Sequence, residues 1–229
     1  MKGEPQGFQW GYVDVYGSVA RGDAIAIKSD LDLLVVFNST LSNEERVELK
    51  EISNVLSQKY RYIVRDVGIA VANYDYVMDA MNYYEQAFLK ELCVCVYGED
   101  LREQFGPYKL TSEIAVSFNG DFSEVFDRTI HRLETAPIEE FKILSQNIAR
   151  KLIRTYYSMV MARSQIWSTR LDEQSDVFIR YFPDKAPIIR TLQKWIEQPP
   201  TSRKHVHKVL MSEDKWLTAN FKREARITS

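Results

Sequence analysis

The 229-residue sequence has only two cysteines and three histidines. Cys93 and Cys95 stand in the run Leu92-Cys93-Val94-Cys95-Val96, too close together to form a disulfide framework. Strand alternation there would put both thiols on one sheet face as small hydrophobes in a reducing compartment. His131, His205 and His207 form no metal-ligand pattern, and the His-x-His pair falls on an expected helix, where residues two apart do not share a face. An excess of either charge is also missing: 30 Lys and Arg stand against 32 Asp and Glu, a net of -2. No global footprint for nucleic acid follows, although a balanced total is compatible with a local basic patch. No apolar run of transmembrane length, signal peptide or lipidation motif occurs, which predicts a cytoplasmic protein with no membrane partner. Repeats and low-complexity tracts are absent as well.

What remains is ordinary globular composition, 45% hydrophobic and 27% charged, enough for one large domain or two modest ones. Gly3, Pro5, Gly7 and Gly11 predict an extended lead-in over residues 1–11. Tyr12 to Tyr16 and Leu31 to Phe37 read as strands. Ser42 with Glu45 makes a capping-box pattern for a helix reaching about Ser57, with Leu49, Ile52 and Leu56 on one face. A strand over Tyr62 to Val71, a helix over about Asp75 to Lys90 and the cysteine-bearing strand follow, closed by Gly98. This order predicts an α+β (α/β) domain with a small mixed β-sheet flanked by helices. Gly106-Pro107 breaks the chain, and beyond it the apolar residues recur at helical spacing. Asp121 with Glu124 offers a cap for a helix to about Glu134, and the longest helix should run from Ile138 to about Ser168 with Leu144, Ile148, Leu152, Tyr156, Met159 and Val160 as its packing stripe. Prolines 183, 187, 199 and 200 separate shorter helices, the last over Arg203 to Lys222. The expected division is a domain at 1–106 and a C-terminal helical bundle at 107–229.

The chemistry concentrates in residues 12–37, YVDVYGSVARGDAIAIKSDLDLLVVF. A glycine and a serine at a strand end let backbone N–H groups and a hydroxyl approach a polyphosphate. Asp30 and Asp32 are two apart on a strand, so both carboxylates leave one face and can converge on a divalent cation. Each feature alone is a weak signal. Together they put phosphate donors beside metal-binding carboxylates. The structural alternative makes Ser18 a turn residue and the aspartates solvated strand-start residues, although two adjacent carboxylates in so apolar a run need a partner.

Gly17-Ser18-Val19-Ala20-Arg21-Gly22 and Ser29-Asp30-Leu31-Asp32-Leu33-Leu34-Val35 resemble the motif of the DNA polymerase β-like nucleotidyltransferase superfamily. That motif is GS, a spacer and [DE]x[DE], here in the version found in bacterial minimal nucleotidyltransferases and aminoglycoside adenylyltransferases. The likeness is tight over Gly17 to Val35 and looser over the first 105 residues. It implies that Gly17, Ser18 and Ser29 hold the phosphates of ATP or another nucleoside triphosphate, and that Asp30 and Asp32 hold two Mg²⁺ ions. Arg21 would lie near the phosphates or shape the loop. The family also uses a third carboxylate on a later strand, for which Asp66, heading Val67 to Val71, is the candidate. The alternative for Asp66 is an ion pair with Arg65 or Arg61. Asp14 is a rival, while Asp75 and Asp79 read as helix-start residues.

The resemblance implies transfer of AMP to a hydroxyl of a small molecule, with an aminoglycoside-like antibiotic as the leading acceptor and pyrophosphate released. A polycationic acceptor would call for acids, and Glu85, Glu91, Glu99, Asp100, Glu139-Glu140 and Asp172-Glu173 are available without signature spacing. The other readings are an RNA or protein acceptor in a toxin-antitoxin or defence system, and a catalytically silent nucleotide-binding module. Lys142, Arg150, Lys151, Arg154, Arg163 and Arg170, with no acid between Lys142 and Arg170, could form a basic wall for triphosphate or RNA. They could equally be solvated residues of a surface helix.

Overall fold

A computed structural model describes residues 10–119 and 122–225. The lead-in expected over residues 1–11 falls almost wholly outside them, and so does Asp121 of the expected helix cap. The chain divides into two compact units, Met1–Tyr108 and Lys109–Ser229.

The first unit is built on a four-stranded mixed sheet in the order β3-β2-β1-β4. Its strands are β1 (Trp10–Tyr16), β2 (Leu31–Phe37), β3 (Val67–Asn73) and β4 (Val94–Tyr97). β1 runs antiparallel to β2 and to β4, while β2 and β3 are parallel. β2 is central and covered on both faces, which explains its unbroken apolar run. Val35 packs with Phe37, Leu41 and Leu49 on one face, and Leu34 and Val36 pack with Val77, Leu89 and Cys93 on the other. The single turn α1 (Gly17–Arg21) follows β1, and α2 (Asn43–Lys59) covers the face that carries Val35, Ile69 and Val71. α2 opens on the capping box anticipated from sequence: Glu45 N–H donates to Ser42 Oγ at 3.2 Å and Ser42 N–H to Glu45 Oε2 at 2.8 Å.

Three elements differ from the sequence reading. β3 begins at Val67 rather than Tyr62, because Ile63 and Val64 N–H both donate to the Tyr60 carbonyl and close turns. The single helix expected over Asp75 to Lys90 is α3 (Tyr74–Met78) and α4 (Tyr83–Leu92) with a 3₁₀ turn between them. Asp79 causes the break, since its carboxylate accepts from Met81 N–H at 2.9 Å and caps a new turn. Cys93 is the buried C-cap residue of α4 and not a strand residue, so only Cys95 lies on β4.

Asp14 of β1 is 3% exposed between its strand partners Leu34 and Cys95. Burial, and after it the charge of Asp100, pushes its pKa from 3.8 up to about 6, opposed by Arg102. A raised carboxyl contributes stability that is full below its unfolded pKa and is lost as pH rises through its folded one. Asp14→Asn is therefore expected to flatten the pH dependence: between pH 4 and 7 the wild type should lose roughly 2 kcal/mol relative to the variant, at about 1.36 kcal/mol per unit. Urea unfolding of both proteins at pH 4, 5, 6 and 7 checks this, and parallel curves would contradict it.

The second unit is helical: α5 (Ser112–Asn119), α6 (Phe122–Thr135), α7 (Ile138–Ser164), α8 (Leu171–Tyr181), α9 (Ala186–Glu197) and α10 (Arg203–Ala225). α7 is the axis against which the other five pack. The expected stripe of Leu144, Ile148, Leu152, Tyr156, Met159 and Val160 is buried throughout. α7 stops at Ser164 and not at Ser168, because Gln165 turns left-handed at φ 53° and its side-chain amide bonds both the N–H and the C=O of Leu110. Among the described residues no helix is long and apolar enough to cross a membrane.

Candidate active site

The site is built where β1 ends and β2 begins. In the antiparallel pair Tyr16 faces Asp32, so the residue after Tyr16 is brought against that carboxylate. Gly17 meets two demands there. Its φ is +73°, and a Cβ would lie 2.5 Å from Asp32 Oδ2. Any side chain at position 17 would displace the Asp32 carboxylate. Ser18 follows in the first turn of α1, and its carbonyl accepts from Asp23 N–H at 3.1 Å. In the parallel pair Gly68 stands beside Asp32, where a Cβ would sit 3.4 Å from Asp32 Oδ1. Burial between these neighbours raises the Asp32 pKa first, the charge of Asp30 raises it second, and Arg21 and Arg65 oppose both. Tyr16 is raised by burial and by Asp32 in turn.

Asp30 is at the mouth of β2, 30% exposed, and Arg65 grips it from the loop before β3. The Arg65 Nε donates to Asp30 Oδ1 at 2.9 Å and its Nη2 donates to Oδ2. Arg21 donates from Nε and Nη2 to Asp23, both at 3.1 Å. The Ser29 hydroxyl accepts from Ile25 N–H at 2.9 Å and shapes the connection into β2. Ile27 in that connection holds φ +67°, rare for a β-branched residue, and its N–H is tied to the Ile63 carbonyl at 2.8 Å.

The structure thus brings Gly17, Ser18, Asp30 and Asp32 together, with Arg21 in electrostatic reach. Asp66 is differently engaged. Its Oδ1 accepts from the Ser57 hydroxyl of α2 and from Val67 N–H at 2.9 Å, and these two bonds lower its pKa. α2 covers the face opposite to that of Asp32, so this carboxylate is turned toward the helix. Among the described residues no cluster of three His, Cys, Asp or Glu converges on a cation position. The donor set of Asp30 and Asp32 is nevertheless all oxygen and partly desolvated, which fits a hard divalent ion.

Sequence reasoning treated Arg65 only as a partner for Asp66 and passed over Gly68. The signal for Gly68 was the period-2 stripe of small residues, Gly68, Ala70 and Ala72, on the face of β3 that continues the Asp32, Leu34 and Val36 face of β2. The acids considered for a cationic acceptor are mostly engaged: Asp100 with Arg102, Glu139 with Lys142, Glu140 with Arg132, and Asp172 and Glu173 with Arg170. Arg150 donates to Asn147 within α7 at 3.2 Å, and Arg154 is exposed on the same helix.

Residues 11–84 match the nucleotidyltransferase domain family. Among curated proteins none matches the chain. Among solved structures, a spectinomycin adenyltransferase of Enterococcus faecialis, crystallised with ATP and spectinomycin, aligns at 12% identity and a TM-score of 0.49 over 88% of this chain and 92% of that one.

Proposed function

We propose, for a chain whose residues 11–84 match the nucleotidyltransferase domain family, that it is an Mg²⁺-dependent adenylyltransferase. It would carry AMP from ATP to a hydroxyl of a small molecule, forming an ester bond at the α-phosphorus as the α–β bond breaks and pyrophosphate leaves. The observation that carries this reading is the Asp32 carboxylate, held between Gly17 and Gly68 with its pKa raised by burial and by Asp30. Burying a carboxylate beside another is costly unless a cation joins them.

Asp30 and Asp32 would hold Mg²⁺, with Gly17, Ser18 and Arg21 lying toward the phosphates and Ser29 bracing the loop. A bound Mg²⁺ would polarise the α-phosphoryl oxygens and lower the pKa of the acceptor hydroxyl. Gly17 and Gly68 keep β-carbons away from that carboxylate, and Tyr16 pairs with Asp32 across the β1–β2 ladder. The small-molecule acceptor, an aminoglycoside-like compound first, rests on the resemblance of the Gly17 to Val35 stretch to antibiotic-modifying members of the superfamily. Incubation with α-labelled ATP, Mg²⁺ and separate pools of aminoglycosides, tRNA and cell protein tests it: label should enter the small-molecule pool. Label in tRNA or protein alone would overturn the acceptor assignment.

Asp66 has two readings. As a third ligand it would offer an oxygen to the cation held by Asp30 and Asp32; as it stands, its Oδ1 braces the start of β3 against α2. The bonds to Ser57 and Val67 favour the brace. Asp66→Asn is then expected to keep transfer within a few-fold of wild type and to lower stability by about 1 kcal/mol, the value of an ordinary hydrogen bond, because the pair is exposed. A loss of transfer on the order of 10²–10³ with unchanged stability would make it a ligand.

A further inference from the structure

Three backbone hydrogen bonds zip the connection between α1 and β2 to the loop before β3. Ile27 N–H donates to Ile63 O at 2.8 Å, Arg65 N–H to Ser29 O at 2.9 Å and Leu31 N–H to Asp66 O at 2.9 Å. The second and third of these flank Arg65 and fix its backbone opposite Asp30. Its guanidinium closes on Asp30 through two parallel donors, while Asp30 and Arg65 keep 30% and 61% of their side chains exposed. Arg65 is thus the cation on the more exposed carboxylate of the DxD pair. An exposed ion pair of this kind is weak, worth about 0–1 kcal/mol, and a divalent cation can displace it.

We propose that Arg65 stands in for the divalent cation in the nucleotide-free protein and transfers to the polyphosphate when metal and nucleotide enter. The proposal rests on the nucleotidyltransferase reading above and names a positioning residue that the motif does not contain. The guanidinium fork matches a carboxylate and a phosphate equally well, so the displaced group finds a new bidentate partner in the incoming anion. Metal and nucleotide then bind cooperatively. Without nucleotide, the metal must expel Arg65 into water; with it, the expelled guanidinium is taken up by phosphate oxygens. By linkage each ligand strengthens the other by the same factor.

The test measures two affinities on wild type, Arg65→Ala, Arg65→Lys and Asp32→Asn: Mn²⁺ for the nucleotide-free protein, followed by the paramagnetic signal of free Mn²⁺, and a non-hydrolysable ATP analogue in the presence of Mg²⁺. The two should move in opposite directions in Arg65→Ala. Mn²⁺ binding should tighten by about fivefold as the competing ion pair is removed, and the analogue should bind about tenfold more weakly as a charge-assisted phosphate contact is lost. Arg65→Lys, which keeps charge without the fork, should fall between. If Asp32→Asn abolishes Mn²⁺ binding while Arg65→Ala leaves it unchanged or weaker, the stand-in role is overturned and the metal site stands. If wild type and Asp32→Asn bind Mn²⁺ alike, the nucleotidyltransferase assignment of these carboxylates falls, and this proposal with it.

Discussion

Asp32→Asn is expected to reduce nucleotidyl transfer by about 10²–10³-fold, the scale seen when a principal charge-stabilising group is removed from a transition state. It should do so without unfolding the domain. The argument runs through the environment of the carboxylate. Asp32 is the β2 partner of Tyr16, meets Gly17 and Gly68 on its two sides, and carries a pKa raised by burial and by Asp30. A group whose charged form is disfavoured in the folded state costs stability where it is ionised. The isosteric amide relieves that cost, so at neutral pH the variant should melt at the wild-type temperature or slightly above it. Lost transfer with retained or improved stability is the signature of a functional carboxylate. Near-normal turnover in Asp32→Asn, or lost turnover accompanied by unfolding, would contradict the role. Asp30→Asn should lose transfer similarly but also releases Arg65, so its stability is a less clean readout.

The second large effect lies in the helical unit. Glu213→Ala should destabilise that unit by about 3–5 kcal/mol, the range for breaking a buried ion pair from one side. Glu213 on α10 is 7% exposed and accepts from the Tyr156 hydroxyl of α7 and from Lys185 Nζ at 2.7 Å. Lys185 is itself only 13% exposed and lies over the Trp216 ring at 4.1 Å. Tyr156 is fully buried, stacked on Phe178 with ring centroids 4.8 Å apart, and burial with the Glu213 charge pushes its pKa well up. Removing the carboxylate therefore strands a nearly buried ammonium and a buried phenol at once. Glu213→Gln keeps an acceptor for the phenol and should cost less than the alanine. Urea unfolding of wild type and both variants checks this, and a loss under 1 kcal/mol in Glu213→Ala would show that solvent reaches Lys185 after all.

The parts of this protein legible in its sequence are those set by local chemistry. Ser42 and Glu45 announce α2 because a capping box is completed within four residues. The Leu144 to Val160 stripe announces α7 because its period matches a helix buried along one face. The Gly17-Ser18 turn and the Asp30-Asp32 pair could be joined before any coordinates, since both close on one strand pairing. What could not be read depends on register between distant strands. Gly68 acquires meaning only when β3 pairs in parallel with β2 and sets it beside Asp32. Arg65 does so only when its N–H meets the Ser29 carbonyl. Asp66 lies beside Arg65 in sequence, yet Ser57 draws its carboxylate toward α2. Tyr62-Ile63-Val64 has strand propensity, but the turn at Tyr60 overrides it.

Nucleotidyl transfer at the Asp30-Asp32 pair is tested most directly by running α-labelled and γ-labelled ATP side by side with Mg²⁺ and the acceptor pools, on wild type and Asp32→Asn. The account predicts that wild type moves the α-label onto an acceptor, sends the γ-label into pyrophosphate, and that Asp32→Asn does neither. Transfer of the γ-label to an acceptor, or equal labelling by wild type and Asp32→Asn, would contradict it.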